Sequence, residues 1–208
     1  MRPRTTRFPI LAAVFWLLAG CAPAPESATP PPANEAQATD EIPHEALERA
    51  QSASRALAGE LKAKLLSEIQ AHGPAAAIEV CSEVAQETAA AHSQEDLSVR
   101  RVSLKARNPE DLPDPWEEEQ LERLAALQQR GDLPPFVARL VGEGAARELR
   151  YLEPLTIHAV CLSCHGDPTR FEPGVREILE RKYPDDRAVG YLTGDLRGAV
   201  SVRVALGD

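Results

Sequence analysis

An α+β fold with an antiparallel sheet is predicted for residues 44–208, and two features predict it. Apolar residues recur at helical spacing through the first part of that stretch. Shorter runs with period-two alternation dominate the rest. Helices first and strands later is the order of an α+β domain.

The elements follow in order. From His44 onward, Leu47, Ala50, Leu57, Leu61, Leu65 and Ile69 form the apolar stripe of one long helix, with charged residues between them. Gly73 ends it, and Pro74 is suited to open the next. The second helix is expected to run to about residue 91, with Ile78, Cys81, Ala85 and Ala89 turned inward. Residues 97–104 read as a strand. Asn108-Pro109 is a turn, and residues 113–115 are a loop. Pro115 opens an acidic helix over residues 115–129. Strands are expected at about 136–142 and 146–153, and a short helix at about 173–182. Residues 198–206 close the chain as a half-buried strand, because Val200, Val202 and Val204 alternate with Ser201 and Arg203.

Residues 1–20 are a targeting segment. Arg2, Arg4 and Arg7 precede a short apolar run from Ile10 to Ala19. That run falls short of the roughly 18 apolar residues that span a bilayer, so it reads as a signal peptide. Leu18-Ala19-Gly20-Cys21 resembles the lipobox of bacterial lipoproteins, which implies lipidation of Cys21 after cleavage. Residues 21–43 are rich in Pro and Ala and carry almost no large apolar side chain, so they form an extended tether. Much of the chain's unusually high proline content (18 residues) clusters there and belongs to the tether rather than to the fold. The expected setting is the bacterial cell envelope: a periplasm-facing domain held at a membrane by its lipid. The formal charge of −9 becomes more negative once the three arginines leave with the signal. An acidic surface argues against nucleic acid and against charge-driven binding to anionic lipid.

Cys161-Leu162-Ser163-Cys164-His165 carries the chemistry. It is a C-x-x-C-H string, the attachment pattern of c-type haem. Two thiols three residues apart can each add to one haem vinyl group, and the adjacent histidine then ligates the iron. Export strengthens this reading, since c-type haem is attached outside the cytoplasm. A zinc site would want a second close pair of ligands, which the sequence lacks. A redox dithiol would leave His165 incidental. The only methionine is Met1, which leaves with the signal, so a His/Met cytochrome is excluded. The sixth ligand is then His44, His72, His92 or His158, a lysine, a tyrosine, or Cys81. Cys81 is the cysteine that neither lipid nor haem uses, although a lone cysteine commonly packs as a small hydrophobe.

Several strings resemble a family of single-haem c-type domains with a PAS-like fold. They are Glu79-Val80-Cys81, the stretch Arg101-Val102-Ser103-Leu104-Lys105-Ala106-Arg107-Asn108-Pro109 leading to Trp116-Glu117, and Cys161-Leu162-Ser163-Cys164-His165-Gly166. Tyr183-Pro184-Asp185-Asp186-Arg187-Ala188-Val189-Gly190-Tyr191 and Gly194-Asp195-Leu196-Arg197-Gly198-Ala199 complete them. The resemblance implies His165 as proximal and Cys81 as distal iron ligand. It also implies a PAS-like antiparallel sheet, with the N-terminal long helices packed over the covalently bound haem. Arg100, Arg101, Lys105 and Arg107 are candidates to pair with haem propionates. Gly190, Gly194 and Gly198 suit turns or close backbone approach. Tyr183 and Tyr191 suit the haem edge or the core, and His158 a structural role.

Domains of this family often form the extracytoplasmic sensing part of signalling proteins. Here no kinase or cyclase module accompanies the domain, so a signal is expected to pass to another protein. A redox or small-ligand sensor is the first functional expectation, and mono-haem electron transfer at the membrane surface the second. Either needs a signalling or redox protein partner. A haem enzyme would need an open sixth position and distal acid–base groups, neither of which the sequence supplies.

Overall fold

The computed structural model describes residues 41–79 and 83–207. The expected signal peptide, Cys21, nearly all of the expected tether and Cys81 lie outside the described residues.

Helix α1 (His44–His72) is the long helix expected from the apolar stripe, and Gly73 stops it with a left-handed backbone, φ 85°. The second expected helix is two elements. Helix α2 (Pro74–Glu79) and helix α3 (Ala85–His92) are separated at least by a π-helical turn at Glu83 and Val84. Strand β1 (Leu97–Val102) stops two residues early, because Ser103 turns to new partners. Its N–H donates to the Asp111 carbonyl at 2.9 Å, and its hydroxyl to the Arg197 carbonyl at 2.7 Å. Helix α4 (Pro115–Gln128), strands β2 (Val137–Val141) and β3 (Glu148–Thr156), helix α5 (Leu162–His165), helix α6 (Pro173–Lys182) and strand β4 (Leu196–Ala205) follow.

The strands form an antiparallel sheet in the order β1-β4-β3-β2. The fold is α+β, as expected. Period-two alternation gives the sheet two working faces. Val99, Val202 and Tyr151 lie across from one another on the first, against Ala46, Ala50 and Leu57 of α1. Val102, Leu152 and Ala199 lie on the second, against Leu121 of α4.

The second face also holds a buried ion network. Asp114 caps α4 and forms a reciprocal capping box with Glu117. The fully buried Glu117 carboxylate accepts from the Ser201 hydroxyl at 2.7 Å and pairs with Arg100 and with Arg150 at 3.3 Å. Arg150 also donates to Asp114 at 2.6 Å, and Arg203 bonds the same oxygen. Burial opposes ionisation of Asp114, but the Glu117 N–H and the guanidiniums of Arg150 and Arg203 outweigh it and hold its pKa at about 2. A pKa depressed in the folded state gives stability that is present above the ordinary carboxylate range and lost as pH falls through about 2. Asp114→Asn keeps a competent cap and removes the charge. It is expected to cost about 1 kcal/mol at neutral pH after solvent screening, with the gap from wild type closing between about pH 4 and pH 2. Urea unfolding across that range checks this.

No helix among the described residues is long and apolar enough to cross a membrane.

Candidate functional site

The C-x-x-C-H motif sits where β3 leaves the sheet. Ile157 anchors that exit, its N–H donating to the Asp195 carbonyl at 2.9 Å and its carbonyl accepting from Gly194 at 2.8 Å. A 3-10 turn (Ala159–Cys161) then runs into α5, so both cysteines lie on consecutive tight turns. Cys161 is a free thiol. The Cys161 sulfur accepts from the His158 N–H at 3.4 Å, and Cys164 packs beside Ile78 and the α6 residues Val175 and Leu179. Gly166 ends the turn. A Cβ there would meet the Leu162 carbonyl at 2.7 Å, so a side chain would force the motif apart.

The segment after α6 fixes His165. Its Nδ1 lies 2.7 Å from the Ala188 carbonyl. A carbonyl only accepts, so Nδ1 carries the proton and Nε2 keeps its lone pair. Tyr191 meets the imidazole edge-on at 6.3 Å between ring centres, and its N–H donates to the His165 carbonyl at 3.0 Å. Burial, and then the positive charges of Arg197 and Arg107, hold the imidazole pKa well below its usual range. The ring is therefore neutral, with a free ring nitrogen. Arg107 ties the same segment to the motif, pairing with Asp186 at 2.9 Å and donating to the Cys164 carbonyl.

Cys161, Cys164 and His165 open onto a cavity of about 600 Å³, within the roughly 300–1,000 Å³ range of cofactor sites. One wall is apolar, built by Leu61, Leu65 and Ile69 of α1 with Ile78 of α2. The other is cationic, built by Arg101, Arg107 and Arg197. Helix α1 is thus divided in function. Its first half buries Ala46, Ala50, Ser54 and Leu57, and its second half overhangs the cavity. The arrangement offers two thiols able to add to vinyl groups, a nitrogen able to bind a metal, and walls suited to a flat apolar body with an anionic edge.

The sequence candidates divide clearly. Arg101 and Arg107 line the cavity, but Arg100 lies on the other sheet face with Glu117. Lys105 donates to the Val189 carbonyl at 2.6 Å and sits over the Tyr191 ring. Tyr191 is a core residue packed with Ile157, and Tyr183 is partly buried against the cluster of Ile78. His44, His72 and His92 pair with Glu48, Glu68 and Glu60 away from the cavity, whereas His158 lines it. Gly198 fulfils the close-approach expectation, since a Cβ there would meet the Val102 carbonyl at 2.2 Å. Sequence reasoning missed the roles of Arg197 and of the Ala188 carbonyl. Among the described residues, no group of three or more His, Cys, Asp or Glu side chains gathers to hold a metal ion.

A family model described as Tll0287-like matches residues 32–205. Among solved structures, the crystal structure of the cyanobacterial heme-protein Tll0287 is similar in fold, with a TM-score of 0.59 at 24% sequence identity. The match covers 80% of this chain and 99% of that one. No curated protein matches the chain.

Proposed function

The chain belongs to the Tll0287-like family, and from that premise we propose that residues 44–208 carry one covalent c-type haem and act as an extracytoplasmic redox or small-ligand sensor. The observation that carries this reading is His165. Its Nδ1–H is committed to Ala188, and burial keeps the ring neutral, so Nε2 holds its lone pair beside a cavity that Cys161 and Cys164 also line. In this reading Cys161 and Cys164 form the thioethers and His165 is the proximal ligand. Tyr191 and Ala188 keep its ring in place, as partners behind a metal-binding histidine do.

When bound, the haem supplies a one-electron couple and an iron that can exchange an axial ligand. Cys81 is proposed as the distal ligand, on the family resemblance. It follows two residues after the end of α2, whose Ile78 is in the cavity wall. A thiolate favours ferric iron and so lowers the potential. Release of Cys81 on reduction would free the α2–α3 segment, which packs on α1. The second half of α1 overhangs the cavity, and its first half lies on the sheet. That continuity favours sensing. Cys21 is proposed as the lipid anchor that holds the domain at the envelope membrane, with its signal read by a partner protein.

The test compares optical and electron paramagnetic spectra of the mature protein in both oxidation states with those of Cys81→Ala. Wild type is expected to show six-coordinate, low-spin ferric iron, and the variant to lose that signature. A ferric spectrum unchanged by the substitution overturns the Cys81 assignment. Electron transfer is a second reading, because His158 and Val160 are exposed and line the cavity, an edge that would admit a redox partner. Fast electron self-exchange at a potential matched to a membrane donor would favour it.

A further inference from the structure

We infer that Arg197 is the anion anchor of the cavity and pairs with a haem propionate. This rests on the haem reading above and goes beyond it to a residue that neither the motif nor the strand pattern marks.

Three guanidiniums line the cationic wall, and two of them have a carboxylate. Arg101 pairs with Asp111 at 3.1 Å and Arg107 with Asp186 at 2.9 Å. Arg197 has no ion pair among the described residues. Its Nη1 donates to the Ser103 hydroxyl at 2.6 Å and to the Lys105 carbonyl at 3.3 Å, both neutral oxygens. Its Nε and Nη2 donors make no hydrogen bond among the described residues. A guanidinium has five N–H donors in a planar fork, so most of this one's donors are unmatched among the described residues, in a side chain that lines the cavity and lies 5.8 Å from the Tyr191 ring centre.

The side chain is held in advance. The Ser103 hydroxyl donates to the Arg197 carbonyl while accepting from the Arg197 guanidinium, which closes a short loop. Gly198 lets the backbone come close enough to Val102 for that loop to form. Burial, with Arg107 and Arg101 close by, lowers the guanidinium's pKa. A cation removed from water without an anionic partner is costly, and a carboxylate accepting its fork offsets the cost. Among the described residues, the three arginines of this wall outnumber by one the carboxylates that the salt bridges at Asp111 and Asp186 supply.

The test uses holoprotein made with an intact haem-attachment pathway. Low-frequency resonance Raman spectra report the propionate bending band in wild type, Arg197→Gln, Arg197→Lys and the surface control Arg123→Gln. The band is expected to move to lower frequency in Arg197→Gln, to move partway in Arg197→Lys, and to stay in the control. If Arg197→Gln does not accumulate, Arg197→Lys decides, since it keeps the charge and loses the fork. Coloured Arg197 variants with covalent haem and an unmoved band overturn the anchor and leave the haem reading intact. A wild type without covalent haem overturns the haem reading itself.

Discussion

Replacing Cys161 and Cys164 together with serine is expected to abolish covalent haem. A serine hydroxyl does not add to a vinyl group under conditions where a thiolate does. The backbone should tolerate the change. The Cys161 sulfur takes part in one weak contact at 3.4 Å, which a hydroxyl can accept, and Gly166 with Ala188 still shapes the turn. The consequence extends to α1. Leu61, Leu65 and Ile69 overhang the cavity, and the haem would be their apolar partner. Without it, the second half of α1 should exchange its amide protons faster, while the half carrying Ala46, Ala50 and Leu57 stays protected. Haem staining after denaturing electrophoresis and hydrogen exchange check the two parts. Denatured double variant that still carries haem contradicts the attachment chemistry.

Glu117→Ala is expected to produce the largest loss of stability. Glu117 is fully buried, and three side chains depend on its carboxylate. Ser201 donates to it, Arg100 pairs with it, and Arg150 lies 3.3 Å away with little exposure of its own. Removing one partner of a buried pair leaves an uncompensated charge and costs about 3–5 kcal/mol. For a chain of this size that lowers the melting temperature by about 10 °C. The capping box of α4 is lost as well, because the Glu117 carboxylate accepts from the Asp114 N–H at 2.8 Å. Glu117→Gln keeps the shape and some of the hydrogen bonds, so it should fall between wild type and Ala. The network is on the sheet face away from the cavity, so protein that folds should keep its haem. Denaturant unfolding within about 1 kcal/mol of wild type for Glu117→Ala contradicts the account.

The sequence reveals what is local and conceals what the tertiary fold assembles. The stripe ending at Gly73 gave α1, and α6 falls at 173–182 as expected, because periodicity and a stop residue are carried in a single segment. Alternating valines identified β4, but it begins at Leu196, two residues earlier, where Thr156 of β3 pairs with it. β1 ends at Val102 because of bonds to residues 111 and 197, which no local pattern contains. The motif was legible for the same local reason. The group that orients His165 was not, since it is a backbone carbonyl 23 residues away and any residue could provide it. Arg100 and Arg101 show a related limit. Alternation dictates that they face opposite ways, yet which face bears the cavity depends on where α1 packs.

The central claim is a porphyrin joined to both thiols, with its iron on the neighbouring imidazole. Intact-mass measurement of the mature protein, together with its optical spectrum, tests it most directly. The expected result is one porphyrin mass per chain that survives denaturation, with the absorbance of a doubly thioether-linked haem. A colourless protein at its unmodified polypeptide mass, made alongside a correctly matured c-type cytochrome in the same cells, would contradict it.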